Sequence, residues 1–151
     1  MPPSTVIPGV FAYTDKVAAP WFAPAGLKRG VLGTTVVGER KLSQTTRDDL
    51  YTSKVNPITY VNGAGSIVYG QKTLQTAASA LDRINVRRLL IEMKTYFEQI
   101  AGGIVFEQNS AATRNSFINK VTPYLESIQQ NQGLYAFKIV MDESNNTSDV
   151  I

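Results

Sequence analysis

The sequence predicts a mixed α/β (α+β) fold: a small β-sheet covered by helices, in a single compact domain with an irregular proline-rich start. Three observations carry that expectation. A long helical stripe of apolar residues occupies 82–102, a strand–turn–strand pattern occupies 58–69, and prolines and glycines punctuate residues 1–30. The chain has 151 residues, of which 43% are hydrophobic and 18% charged, enough apolar material for a packed core.

Residues 1–30 carry Pro2, Pro3, Pro8, Pro20 and Pro24 together with Gly9, Gly26 and Gly30. Proline lacks the amide donor of a helix or ladder, so this stretch reads as an extended segment draped over the core and pinned by Phe11, Trp21 and Phe22. Trp21 is the single tryptophan and is expected as a core anchor. The remainder, 31–151, is the expected domain proper.

A short apolar piece from Val31-Leu32 to Val36-Val37 closes at Gly38. Thr45 and Thr46 each precede an acid by three residues, Asp48 and Asp49, the T-x-x-D pattern of a helix start. That helix stops before Asn56-Pro57. Ile58 to Val61 and Ser66 to Tyr69 then flank Asn62-Gly63-Ala64-Gly65, a hairpin. From Val86, apolar residues recur at Leu89, Leu90, Met93, Tyr96, Phe97 and Ile100, ended by Gly102-Gly103. Ile104-Val105-Phe106 reads as a buried strand. Ser110 caps a further helix with Phe117, Ile118 and Val121 inward. Pro123 kinks or restarts it, and Tyr124, Leu125 and Ile128 follow, before Gly133. Leu134 to Met141 reads as a last strand.

The composition excludes much chemistry. Cysteine and histidine are absent, which removes disulfides, Cys/His metal sites and every Ser–His or Cys–His pair. No stretch reaches the ~18 apolar residues of a membrane-spanning helix, and the start lacks the basic-then-apolar pattern of a signal peptide. Gly65 to Thr73 approaches the phosphate-binding G-x-x-x-x-G-K-S/T loop, but Gln71 pushes Lys72 out of register and Ile67-Val68-Tyr69 prefers a strand. The acid pairs Asp48-Asp49 and Asp142-Glu143 sit in polar surroundings and predict no cleft. The sequon-like Asn145-Asn146-Thr147-Ser148 means little without a secretory signal. No catalytic constellation, cofactor site or metal site is expected.

Charge is uneven. Residues 1–94 hold twelve Lys/Arg against six Asp/Glu, a net +6, while residues 95–151 hold three against six, a net −3. That split fits either a solvated monomer or a subunit that meets copies of itself, and no dense basic cluster with interleaved aromatics points to nucleic acid. At about 100° per residue, Arg83, Arg87 and Lys94 fall within roughly 40° of one another beside the apolar stripe, with Lys94 and Glu98 as an i,i+4 pair. On the residues alone this basic flank reads first as a solvated face whose long stems cover the edge of the core, and second as a contact surface. Asp82 or Asn85 is expected to cap the long helix, with Arg83 pairing locally.

Seven polar motifs occur in order along the chain. They are Pro20-Trp21-x-x-Pro24-Ala25-Gly26-x-x-Arg29-Gly30, Arg47-Asp48-x-Leu50-Tyr51 with Asn56-Pro57, and Tyr69-Gly70-x-Lys72-Thr73. Asp82-Arg83-Ile84-Asn85-Val86-Arg87-Arg88-Leu89 and Phe106-Glu107-x-Asn109 with Thr113-Arg114-x-x-Phe117 follow. Gly133-Leu134-Tyr135-x-Phe137 and Asp142-Glu143-x-Asn145-Asn146-Thr147 close the series. It resembles the C-terminal, inner-layer region of contractile tail sheath proteins of myovirus-type phages and related injection machines. The resemblance implies a structural subunit without enzymatic activity or cofactor. Its expected partners are copies of itself in stacked hexameric rings, a tail tube protein, and baseplate and tail terminator proteins. It implies no nucleic acid and no direct membrane insertion. A location in the virion after assembly in the host cytoplasm, contraction that drives the tube through the target envelope, and a chain that is a piece of a longer one are implied too. Arg83, Arg87 and Lys94 become expected contacts to tube or neighbour. The competing reading from the residues alone is a small-molecule-binding or enzymatic α/β domain with a dispersed site.

Overall fold

Two prolines open the first helix rather than preventing it. The computed structural model, which describes residues 2–33, 38 and 40–146, starts with α1, Pro3–Val17, entered through Pro2 in extended conformation. The first amides of a helix have no intrahelical partner, so Pro3 costs nothing there, and the Thr5 hydroxyl donates to the Pro2 carbonyl at 2.8 Å. Only Pro8 lies inside, and Pro20 and Pro24 fall beyond the helix end. The extended reading of this stretch is therefore corrected. Prolines that cluster at a helix start and after its end punctuate a helix; they do not exclude one.

The segment does pack on a core. Val10 of α1 joins Leu32 and Val68, with Val6, Ile7, Ala25 and Ile58 against them. A short α2, Gly26–Arg29, follows, with Gly26 at φ +78°. The stretch Val36-Val37 lies outside the described residues. Next, α3 spans Gln44–Thr52. Its cap is Ser43, whose Oγ accepts from the Thr46 amide at 3.2 Å, so Thr45 and Thr46 are inside the helix and Asp48 and Asp49 fall past its first turn. The helix end is a Schellman turn: the amide of Val55 reaches the Leu50 carbonyl (2.9 Å), that of Lys54 the Tyr51 carbonyl (3.2 Å), and Lys54 stands at φ 64°.

The hairpin forms as its sequence predicts. Strand β1, Ile58–Val61, pairs antiparallel with β2, Gly65–Val68, in the register Ile58 to Val68 and Val61 to Gly65. Residues 30–32 extend the far side of β2: Leu32 donates to Ser66 and Val68 to Gly30, both at 2.8 Å. Thr59, Ser66, Ile67 and Val68 are buried, so the hairpin supplies much of this core.

A 3-10 turn, Ala80–Asp82, leads into α4, Ile84–Gly102, and α5 spans Ala111–Gln130. The apolar stripe on α4 buries Leu89 and half-buries Met93, Tyr96, Phe97 and Ile100, whereas Leu90 is exposed. Ser110 caps α5 as expected, accepting from Thr113 at 3.2 Å. Val121, Leu125 and Ile128 are buried, and the helix runs through Pro123 without interruption. The Tyr96 and Tyr124 rings stack at 3.8 Å, with the Phe97 ring edge-on to Tyr124.

Two expected strands are absent. Residues 104–106 form turns that leave Phe106 wholly exposed, and 134–141 take no ladder, with Tyr135 99% exposed. β-branched and aromatic composition favours a strand only where a neighbour offers pairing, and among the described residues none is offered here. The mixed helix–sheet class holds, with its sheet reduced to the two strands of the hairpin. Contacts within the chain fall into two compact units, residues 1–90 and 91–151.

The end of α5 carries a small, testable strain. Gln132 sits at φ 63° as the left-handed residue of a Schellman turn, with the Gly133 amide on the Ile128 carbonyl at 2.8 Å. Glycine adopts this conformation without steric cost, so Gln132→Gly is expected to stabilise the chain by ~0.5–1 kcal/mol, read as a higher midpoint in chemical denaturation.

Candidate functional site

Three of the polar motifs, far apart in sequence, meet in one network in the first unit. Its anchor is Asn56, two residues before β1. The side-chain amide mimics a strand neighbour: Oδ1 accepts from the Lys72 amide at 2.7 Å and Nδ2 donates to the Lys72 carbonyl at 2.8 Å. Gly70 is buried directly beside it, because a Cβ there would stand 2.8 Å from Asn56 Oδ1 and 3.0 Å from Tyr51 Cε2. Pro57, next along, is buried and accepts from the Tyr69 amide at 2.8 Å.

Lys72 then turns its ammonium inward. Nζ donates to the Tyr51 carbonyl at 2.9 Å and lies 4.0 Å from the centre of the Tyr51 ring. A cation at the last turn of α3 meets the negative end of the helix dipole, and the ring face adds to it. Arg83 closes the network from the other side. It donates from Nη1 to the Tyr51 hydroxyl at 2.5 Å and pairs with Asp82 at 3.2 Å. Backbone bonds from Thr73 to Asp82 (2.9 Å) and from Ile84 to Gln71 (2.8 Å) hold these two segments together. The lysine of the near-miss phosphate loop is thus committed to a helix end. Its preceding residues, Gly65–Val68, are β2, so no cradle of free amides exists there.

A second cluster fixes the Pro20-Trp21 motif. Asn85 donates from Nδ2 to the Trp21 carbonyl at 3.1 Å. Arg88 lies 4.9 Å from the centre of the Phe11 ring, forms a two-pronged pair with Asp15 at 2.5 and 2.6 Å, and reaches the Pro20 carbonyl at 3.4 Å. Trp21 is half-buried and stacks on Phe22, whose ring also lies under Arg29 at 5.2 Å. Arg29 Nε donates to the Ala23 carbonyl at 2.9 Å.

The sequence-derived residues therefore separate. Arg83 is bound within its own unit and is not a free member of a basic flank. Arg87 is exposed, and Lys94 is exposed with Glu98 at 3.7 Å. Asp82 pairs with Arg83, as expected. Asn85 does not cap α4: it is the helix's second residue, and its amide is a donor to Trp21. Tyr51, Asn56 and Arg88 carry more of the network than sequence reasoning assigned them. The signal was present in the motifs, but a bond between residues 16 to 73 positions apart has no periodicity to reveal it.

Two ionisable groups of the second unit are shifted from their usual ranges. Burial, then Glu92 and Tyr96, raise the Tyr124 hydroxyl above the usual tyrosine range, which keeps it protonated. Hydrogen bonds from Ser144 hold the Asp142 carboxyl below the usual carboxylate range. Among the described residues no group of acids could hold a metal ion, and no helix is long and apolar enough to cross a membrane.

No protein-family model matches this sequence. Curated relatives do. The tail sheath protein of Vibrio phage KVP40 is 42% identical over 96% of this chain, that of Enterobacteria phage T4 38% identical over 100%, and that of Salmonella phage ViI 36% identical over 95%. The chain spans 22%, 23% and 23% of those proteins, respectively. Among solved structures, a subunit of the anti-feeding prophage baseplate superposes with a TM-score of 0.87 at 26% identity, covering 98% of this chain and 42% of that one. The contracted sheath complex of an extracellular contractile injection system gives 0.82 at 26% identity, covering 92% and 38%. The contracted helical sheath of the anti-feeding prophage gives 0.78 at 29% identity, covering 91% and 38%. Over nearly its whole length, the chain is homologous to a segment of tail sheath proteins that makes up less than a quarter of each curated relative.

Proposed function

We propose that this chain is the inner-layer part of a contractile tail sheath subunit. It polymerises as stacked hexameric rings around a tail tube and shortens to drive the tube through an envelope. The homology over 95–100% of the chain to tail sheath proteins carries the reading. The site geometry is in keeping with it: in the first unit the motif side chains tie elements to one another. The subunit acts without catalysis or cofactor, and the work comes from the lattice. Its partners are copies of itself, the tube, the baseplate and the terminator, and its place is the phage tail, built in the host cytoplasm. Residues 31–151 form the inner domain and the first thirty residues brace it.

The contact surface proposed for the tube or a neighbour is the exposed pair Arg87 and Lys94. Substitution at exposed positions away from the packed network usually moves stability by only about 0.5 kcal/mol, so Arg87→Glu with Lys94→Glu leaves the subunit folded. In the full-length sheath protein the double variant is expected to abolish striated tubes in electron micrographs taken with purified tail tubes present. Normal sheath on tubes would remove this pair from the contact.

A further inference from the structure

Asn62 and Gly63 form the one Asn-Gly pair in the sequence, and the fold places them at the tip of the hairpin. Asn62 and Gly63 are both exposed. The turn is closed by the Ala64 amide on the Val61 carbonyl at 3.1 Å, with Gly63 at φ +83° and open space where a Cβ would stand. No side chain at position 63 therefore shields the Gly63 nitrogen. The flanking strands have four residues each, and short hairpin tips open readily.

The other asparagines are guarded in different ways. Asn56 precedes Pro57, which has no amide hydrogen. The amides after Asn109, Asn131 and Asn145 are already bonded, to Gln108, Gln129 and Asp142. Asn115 and Asn119 lie within α5, where the following amides belong to the helix ladder. Asn85 and Asn146 precede the β-branched Val86 and Thr147.

We propose that Asn62 is a site of spontaneous deamidation, independent of the sheath reading. The Gly63 nitrogen gives up its proton and attacks Asn62 Cγ. The new N–Cγ bond forms as the Cγ–Nδ2 bond breaks and ammonia leaves, giving a cyclic imide. Water then adds to either ring carbonyl and opens it to aspartate or isoaspartate. No oxidant or reductant is needed. The product adds a negative charge to the hairpin. In its iso form it also adds a backbone carbon between Val61 and Gly65, disturbing the register that buries Thr59, Ile67 and Val68.

The test is peptide mass mapping of the full-length chain, kept folded at mildly alkaline pH over time. The expected shift is the exchange of NH for O in the peptide holding Asn62, before any other asparagine peptide. Two product peaks should appear, preceded by a species lacking ammonia. Asn62→Gln and Asn62→Ser should each lose the shift. An unmodified Asn62 peptide in the folded protein, or earlier conversion of another asparagine, overturns the proposal.

Discussion

Gly30→Ala is expected to unfold the first unit at denaturant concentrations that leave the native protein intact. Gly30 ends α2, and the backbone there is pressed against itself. A methyl group would stand 2.7 Å from the Gly26 nitrogen, 2.8 Å from the Ala25 carbonyl carbon and 2.8 Å from the Val68 carbonyl oxygen. All three are backbone atoms, so nothing flexible is there to swing aside. Relief requires α2 to separate from β2, which would break the bond from the Val68 amide to the Gly30 carbonyl at 2.8 Å. Overpacking of this kind costs ~1–3 kcal/mol where neighbouring groups adjust, and about 3 kcal/mol or more is expected where only backbone yields. Gly33→Ala is the matched control: a Cβ there meets nothing within 4 Å, and a change of about 0.5 kcal/mol or less is expected. Trp21, the single tryptophan, lies in this unit and reports its unfolding by fluorescence. Equal midpoints for Gly30→Ala and Gly33→Ala would show that α2 and β2 are not bound as closely as described.

Local rules were legible wherever one stretch of sequence decides its own conformation. The hairpin, the long helix, the Ser110 cap and the stop before Asn56-Pro57 all follow from neighbours in sequence, and each appears where expected. The failures are of two kinds. In the first, a true propensity changes its effect with position. Pro2 and Pro3 break helices in general but open α1, and T-x-x-D at Thr45 and Thr46 was overtaken by Ser43 just upstream. In the second, a propensity needs a partner to take effect. Ile104–Phe106 and Leu134–Met141 have the residues of strands, but a strand exists only as a pair. The polar network was visible as motifs and hidden as geometry. That Gly26 needs a positive φ, that Gly30 and Gly70 admit no Cβ, and that Arg29 reaches back to Ala23 become evident only in the folded molecule.

Asn56→Ala should weaken the first unit by ~2–4 kcal/mol, because it orphans two backbone groups at once, at ~1–3 kcal/mol each when left unpaired away from water. The Lys72 amide and carbonyl lose their bonds of 2.7 and 2.8 Å, and the half-buried setting lets water restore only part of that. The damage does not stop there. Lys72 is the residue that carries its ammonium to the Tyr51 carbonyl, and Tyr51 in turn receives Arg83. Loosening Lys72 therefore frees the end of α3 from the approach to α4. Asn56→Asp separates the two halves of the interaction. It keeps an acceptor for the Lys72 amide but loses the donor and sets a carboxylate oxygen against the Lys72 carbonyl, so it should fare no better than alanine at neutral pH. As pH falls and the new carboxyl gains a proton, it can donate again, and part of the lost stability should return. Denaturation midpoints of both variants, followed by Trp21 fluorescence across that pH range, decide the matter. Wild-type stability for Asn56→Ala would mean that the side-chain amide merely accompanies the hairpin exit and does not hold it.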